Sequence, residues 1–195
     1  MSEPFIEVVS EDQLQRRVSE LGAQVAMDYS GLKPVVVGVL KGCLPFLADL
    51  ARRIDEPIEV DFLSLTRFGE TGHVSIAMDT TTSLNDRHVI IVEDIVDTGL
   101  TLRALRRLIE VREPASLRTV ALMDKVLRRI VDVPVEYRGF EVGDEFLLGY
   151  GLDWEGWYRN VRSLWAVMDL AELTRDSTAF AHVGHSLVER APTAQ

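Results

Sequence analysis

Residues 89–101 read Val-Ile-Ile-Val-Glu-Asp-Ile-Val-Asp-Thr-Gly-Leu-Thr, and they concentrate the groups in this chain best able to do chemistry. Val89 to Val92 is a β-branched apolar run of the kind that forms a buried parallel strand. The run reads as ending on two adjacent acids, Glu93 and Asp94. A third acid, Asp97, precedes Thr98-Gly99-Leu100-Thr101 and then an amphipathic helix. Backbone N–H groups in such a turn, with the dipole of the helix behind it, can hold a phosphate. The acids upstream can hold sugar hydroxyls, a Mg²⁺ ion or a substrate proton. Each feature alone has a plainer reading, as solvated acids or a Thr-capped helix start; the ordered string is far more specific than its parts.

Those residues need a scaffold, and the pattern on either side supplies one. Ser10-Glu11-Asp12-Gln13 has the form of a capping box, followed by Leu14, Val18, Leu21 and Val25 at helical spacing, which predicts a helix to about Asp28. Val35 to Leu40 is a continuous apolar run and predicts a central strand. Pro45 suits the first turn of the next helix, with Phe46, Leu47, Leu50, Ala51 and Ile54 on its apolar face. Ile58, Val60 and Phe62 alternate with acids, and Val74, Ile76 and Met78 alternate likewise, so both segments predict strands. The helix after Gly99 presents Leu102, Leu105, Leu108 and Ile109 and stops before Pro114. Leu117–Met123, Val133–Tyr137, Phe146–Tyr150 and Leu164–Met168 predict the remaining strands. Alternating strands and helices argue for a mostly parallel sheet covered by helices, an α/β architecture whose ligands bind beyond the carboxyl ends of the strands. Leu40-Lys41-Gly42, Glu93 to Thr101, Asp124-Lys125 and Phe146 to Asp153 all fall at or near such ends.

Composition narrows the function. The 195 residues suit one domain with a proper core, and 47% apolar with 27% charged residues is ordinary for a globular chain. No apolar run approaches the ~20 residues a membrane span requires, and Met1-Ser2-Glu3-Pro4 lacks the features of a secretory signal. Cys43 stands alone, which fits a reducing cytoplasm and reads as a packing residue. His73, His88, His182 and His185 show no metal-ligand spacing. A net charge of −10 speaks against nucleic-acid binding. It also sets a condition on any polyphosphate ligand, because like charges at ~4 Å repel by about 4 kcal/mol at an effective dielectric of ~20. A divalent cation must intervene.

The string Glu-Asp-x-x-Asp-Thr-Gly-x-Thr resembles the phosphoribosyl-pyrophosphate (PRPP) loop of the type I phosphoribosyltransferases. Val-Leu-Lys-Gly at 39–42, the 92–101 string, Lys125, and Gly-Phe-Glu-Val-Gly-Asp-Glu-Phe-Leu-Leu-Gly-Tyr-Gly-Leu-Asp at 139–153 together resemble the hypoxanthine-guanine branch. The match runs in order from about residue 35 to 169. The resemblance implies a single phosphoribosyltransferase domain over residues 1–170, with its core at about 30–169 and a small hood from the N- and C-terminal segments. It leaves 171–195 as a tail expected to be partly mobile.

The resemblance implies purine salvage: transfer of 5-phosphoribosyl from PRPP to N9 of hypoxanthine or guanine, with Mg²⁺ as cofactor and a homodimer or homotetramer as the assembly. It gives Glu93 and Asp94 the ribose hydroxyls and Mg²⁺, and Asp97 the proton at purine N7. Asp97, Thr98, Gly99, Leu100 and Thr101 would wrap the 5′-phosphate. Leu40, Lys41 and Gly42 would meet the pyrophosphate through a cis peptide, and Arg159 would reach it too. Lys125 would donate to the base O6, Phe146 would stack on the ring, and Leu147 would act through its carbonyl. Asp153 would line the purine site and bind a second Mg²⁺ with the pyrophosphate. The chain departs from the pattern in its lid, where Arg67-Phe68, followed by Gly69, stands in place of the usual Ser-Tyr. Leu100 and Gly143 also replace a lysine and a proline seen in relatives. Two other readings stay open: a xanthine-preferring transferase, and a regulatory protein of the same fold that binds RNA. The acidic balance and the presence of Lys125, Phe146 and Asp153 weigh against the second.

Overall fold

The computed structural model describes residues 3–68 and 73–185. The chain divides into two compact units, one formed by Gln15–Asp144 and the other by Met1–Leu14 with Glu145–Gln195.

The larger unit is built on a six-stranded sheet. Val35–Leu40 (β2) forms its heart, preceded by helix α1 (Glu11–Asp28), which runs into this unit from the other, and followed by α2 (Leu44–Ala51). Ser10 and Gln13 realise the capping box: Ser10 N–H donates to Gln13 Oε1 at 2.9 Å, and Gln13 N–H reaches Ser10 Oγ at 3.4 Å. The hairpin β3 (Glu59–Phe68) and β4 (His73–Met78) lies to one side of β2, and β5 (His88–Val96), β6 (Ser116–Asp124) and β7 (Tyr137–Glu141) to the other. The order is β4-β3-β2-β5-β6-β7, with only the β3–β4 pair antiparallel. Helix α3 (Leu100–Glu110) packs Leu102, Leu105 and Ile109 against Val37, Val89, Ile91 and Ala121, forming one continuous core. Strands buried on both faces need apolar residues at successive positions, which is why Val35–Leu40 and Val89–Val92 show no alternation.

Because β3 lies on one side of β2 and β5 on the other, the carboxyl ends of β2 and β5 flank the point where strand order reverses. That is where open α/β sheets form a crevice. The β2–β5 pairing runs from Val35↔Val89 to Gly38↔Val92, whereas β5–β6 pairing continues to Val96↔Asp124. The expectation that the strand stops at Glu93-Asp94 is therefore corrected: β6 extends far enough to supply backbone partners, and β5 carries both acids within the strand. A second correction concerns Val133–Tyr137, whose strand begins only at Tyr137 and runs through Glu141. Val133 and Val135 instead pack into the core from an irregular segment.

The smaller unit holds an antiparallel sheet of β1 (Phe5–Val9), β9 (Leu164–Val167) and β8 (Phe146–Leu148), in that order. Two short helices follow, α4 (Leu170–Arg175) and α5 (Ala181–His185). Sequence patterning misses β1, whose residues 6–8 are exposed and leave no clean alternation. The segment from Ala171 to His185 forms helical turns that pack on this sheet. Leu173 and Phe180 are fully buried against Phe5, Leu148 and Val167, and the Phe180 ring meets Phe5 and Tyr158 edge-on at 5.1 Å.

Candidate active site

The loop after β2 carries a cis peptide between Leu40 and Lys41, as the family resemblance implies. Lys41 is exposed and Gly42 is buried. A Cβ on Gly42 would lie 1.6 Å from Asp94 Oδ2, so the loop backbone rests directly on a carboxylate of the neighbouring strand. Cys43 follows, fully buried, its thiol pushed up to about 12 by burial and then by the negative fields of Asp94 and Glu93. It stays protonated near neutral pH, as a packing residue should.

At the end of β5, Glu93, Ile95, Val96, Asp97, Thr98, Gly99, Thr101 and Leu102 line a cleft of about 210 Å³. Gly99 sits in the left-handed region at φ 81° and serves as the N-cap of α3, a turn a side chain would strain. The turn therefore opens the cleft at a helix N-terminus, where backbone amides and dipole favour an anion. Leu100 begins the helix with a half-exposed side chain. The Glu93 carboxyl is buried and held well above the usual carboxylate range, first by desolvation and then by the adjacent Asp94. Asp94 turns toward Gly42, and its Oδ1 accepts from Ile95 N–H at 2.9 Å. The two acids thus meet different surroundings, as alternation along a strand requires.

Asp97 pairs with Arg128, whose Nε lies 2.8 Å from Asp97 Oδ1. Arg128 also pairs through Nη1 with Asp144. Lys125 is buried just beyond β6; its backbone N–H donates to Val96 O at 2.9 Å and its ammonium to Asp144 O at 3.2 Å. Ile130 N–H reaches Thr98 O at 3.0 Å, so the turn bearing Lys125 and Arg128 is stitched to the turn bearing Asp97 and Thr98. Asp124, the fully buried last residue of β6, accepts from Arg138 Nε at 2.7 Å and Arg129 Nη2 at 2.5 Å. Sequence reading passes over Arg128, Arg129, Arg138 and Asp144. The Arg128-Arg129 pair, three residues past Lys125 in an acidic chain, is the available signal.

The smaller unit places Phe146, Leu147, Asp153 and Arg159 on one short stretch. Phe146 opens β8, and its ring meets Trp154 edge-on at 5.5 Å. Leu147 is buried, its side chain spent on packing. Asp153 Oδ1 pairs with Arg159 Nη2 at 2.6 Å, and its Oδ2 accepts from Gly156 N–H at 2.7 Å. Arg159 Nη1 donates to Gly151 O at 2.6 Å. Gly149 and Gly151 take φ of 90° and 103°, and a Cβ on Gly149 would strike Ser163 O at 2.2 Å. Trp154 packs in the core, whereas Trp157 is two-thirds exposed. Of the expected lid, Arg67 and Phe68 pair with Val74 and His73 at the tip of the β3–β4 hairpin; Gly69 lies outside the described residues.

Comparison with known proteins agrees with this architecture. Residues 8–155 match the family described as the phosphoribosyl transferase domain. The chain is 42% identical over 158 residues to a hypoxanthine-guanine phosphoribosyltransferase of Bacillus subtilis, covering 79% of this chain and 88% of the relative. It is 44% identical over 161 residues to a hypoxanthine phosphoribosyltransferase of Haemophilus influenzae, with 79% and 90% covered. A crystal structure of a hypoxanthine-guanine phosphoribosyltransferase from Bacillus anthracis superposes with a TM-score of 0.81 at 40% identity, covering 84% of this chain and 98% of that one. With an α/β sheet of this order and a matching sequence over most of its length, the chain belongs to the type I phosphoribosyltransferases, in the hypoxanthine-guanine branch.

Proposed function

We propose that the chain moves 5-phosphoribosyl from PRPP to N9 of hypoxanthine or guanine, yielding IMP or GMP and pyrophosphate, a purine-salvage reaction. The observation that carries this reading is the cleft at the end of β5. It joins Glu93 of the strand and Asp97 just after it to a helix N-terminus entered through left-handed Gly99, while the loop after β2 rests on Asp94, the neighbour of Glu93.

In this reading the 97–101 turn takes the 5′-phosphate on backbone amides and the hydroxyls of Thr98 and Thr101. Glu93 and Asp94 take the ribose hydroxyls and the metal. Glu93 and Asp94 would hold Mg²⁺, which this ion needs only one or two carboxylates to do. Among the described residues no group of three or more His, Cys, Asp or Glu forms a cage, which suits a metal carried in with PRPP. Burial and mutual repulsion hold Glu93 above its ordinary range, and a cation relieves both. When bound, Mg²⁺ supplies charge neutralisation to the departing pyrophosphate.

Asp97 holds or receives the N7 proton as the glycosidic bond forms. Lys125 donates to O6; an adenine amino group would set a donor against a buried ammonium, which is costly. Phe146 stacks on the purine and the Leu147 carbonyl meets its edge. Leu40, Lys41 and Gly42 meet the pyrophosphate. Arg159 and Asp153 serve the pyrophosphate and a second Mg²⁺, after the pair they form with each other opens. The lid expected at Arg67, Phe68 and Gly69 would cover the reacting centre and exclude water. A cytoplasmic homodimer or homotetramer completes the reading, and light scattering measures the assembly.

The test is a direct assay: purified protein with PRPP, with and without Mg²⁺, offered hypoxanthine, guanine, xanthine and adenine separately. Nucleotide should form from hypoxanthine and guanine, only with metal, and adenine should be refused. Failure to convert any 6-oxopurine would overturn the reading, and a preference for xanthine would overturn its choice of base.

A further inference from the structure

We propose that Arg128 is a positioning residue for the transfer reaction, holding the Asp97 carboxylate and the Asp144 segment in one frame with a single guanidinium. The inference rests on the phosphoribosyl-transfer reading above and assigns a role to a residue outside the family motifs.

The geometry is specific. Arg128 Nε reaches Asp97 Oδ1 at 2.8 Å while its Nη1 pairs with Asp144 Oδ1. The backbone carbonyl of that same Asp144 accepts the Lys125 ammonium at 3.2 Å. Arg128 itself sits in the 3₁₀ turn that begins after Lys125, its N–H bonded to Lys125 O at 2.9 Å. One guanidinium, in ion-pair contact with Asp97 Oδ1 and hydrogen-bonded to Asp144, therefore connects the proposed proton-handling acid to the residue against which the proposed base-selecting lysine is seated. A lysine cannot reproduce this, because its point charge lacks the divergent donors of a guanidinium.

Backbone bonds from Lys125 N–H to Val96 O and from Ile130 N–H to Thr98 O already join the two turns. Arg128 is thus not needed to hold the fold. All three side chains of the network are about half exposed or more, and exposed ion pairs contribute little to stability. What the fork does fix is the orientation of a half-exposed carboxylate with two rotatable bonds. Misplacement of a reacting group costs rate rather than folding free energy. The 5′-phosphate, held by the 97–101 backbone, does not depend on it.

The test uses the full chain in steady-state assays on Arg128→Gln, Arg128→Lys, Asp144→Asn and the Arg128→Gln/Asp144→Asn double variant. For Arg128→Gln, kcat should fall about tenfold or more, while KM for PRPP moves less than about twofold. The melting temperature should change by no more than about 2 °C. Arg128→Lys should recover part of kcat, Asp144→Asn should lose less than Arg128→Gln, and the double variant should be no worse than Arg128→Gln. An unchanged kcat in Arg128→Gln overturns the proposal. So does a parallel shift of kcat, both KM values and melting temperature, which marks a merely structural contact. The wild-type protein, assayed alongside, separates the two inferences: no transfer by wild type defeats the reaction assignment, whereas active wild type with indifferent Arg128→Gln defeats only this one.

Discussion

Asp94 Oδ2 occupies the space a side chain on Gly42 would fill, with an ideal Cβ only 1.6 Å away. The loop after β2 and the acid pair of β5 are therefore in direct contact. A carboxylate at the end of a flexible side chain can rotate aside, so Gly42→Ala should fold normally and displace Asp94. The consequence then falls on whatever Asp94 binds. KM for PRPP should rise about tenfold or more, with the melting temperature little altered. A variant with unchanged PRPP affinity would show that Asp94 is not a ligand of the sugar phosphate.

Asp97→Asn tests the proton-handling role while keeping the shape of the side chain. The 5′-phosphate is assigned to backbone amides that this change leaves in place, so KM for PRPP should stay close to wild type. Removing a general acid–base group should lower kcat by about 100-fold or more. Turnover near the wild-type rate would remove Asp97 from the chemistry.

Lys125→Ala addresses base choice. Its ammonium is buried and seated on Asp144 O, so it is held in place before a base arrives. Truncation should raise KM for hypoxanthine and guanine about tenfold or more and narrow the discrimination against adenine. Parallel competition assays with the two oxopurines and adenine measure this, and an undiminished preference for the 6-oxo group would contradict it.

Much of this site is legible in sequence because it lies in two continuous strings. Glu93 to Thr101 combines strand, turn and helix start, and each residue's type matches its local backbone: β-branched residues in the strand, glycine at the left-handed turn. The end of β5 is not legible in the same way, because acids usually mark a strand's exit, and only the neighbouring register shows that β6 carries pairing on to Val96. Arg128 and Asp144 escape notice for a different reason. Sixteen residues separate them, and nothing in periodicity announces that a 3₁₀ turn will bring them together. Phe180, far down a polar tail, becomes a core residue only once Phe5 and Tyr158 are in place around it.

Asp124 is a structural counterpart to these exposed pairs. It is fully buried and accepts from two arginines, Arg129 and Arg138, beneath the Lys125 turn. Breaking a buried pair leaves uncompensated charge, so Asp124→Asn should lower unfolding free energy by about 3 kcal/mol. Urea denaturation measures this. A loss within the range of an ordinary surface substitution would mean the arginines find water or other partners.

Asp61 should give the fold a measurable acid limb. It is buried in β3, where desolvation opposes its charge, but the N–H groups of Thr82, Phe62 and Thr81 and the Thr81 hydroxyl outweigh that and hold its pKa below the ordinary value. Its Oδ2 receives Thr81 and Thr82 N–H at 2.8 Å, tying the segment after β4 back to the sheet. For an acid whose folded pKa is depressed, the folded state binds fewer protons than the unfolded chain. The stabilisation is therefore present above the unfolded value of about 3.9 and is lost as pH falls through the lower folded one. Asp61→Asn replaces one acceptor oxygen by a donor facing other donors and should cost about 2 kcal/mol at neutral pH. That difference should shrink as pH drops below about 4, because Asp61 of the unfolded wild-type chain then takes up a proton that the folded protein still refuses. Thermal unfolding of both proteins between pH 3 and pH 7 follows the gap, on the order of a few degrees in melting temperature; a gap of constant size across that range would mean that the charge of Asp61 contributes nothing.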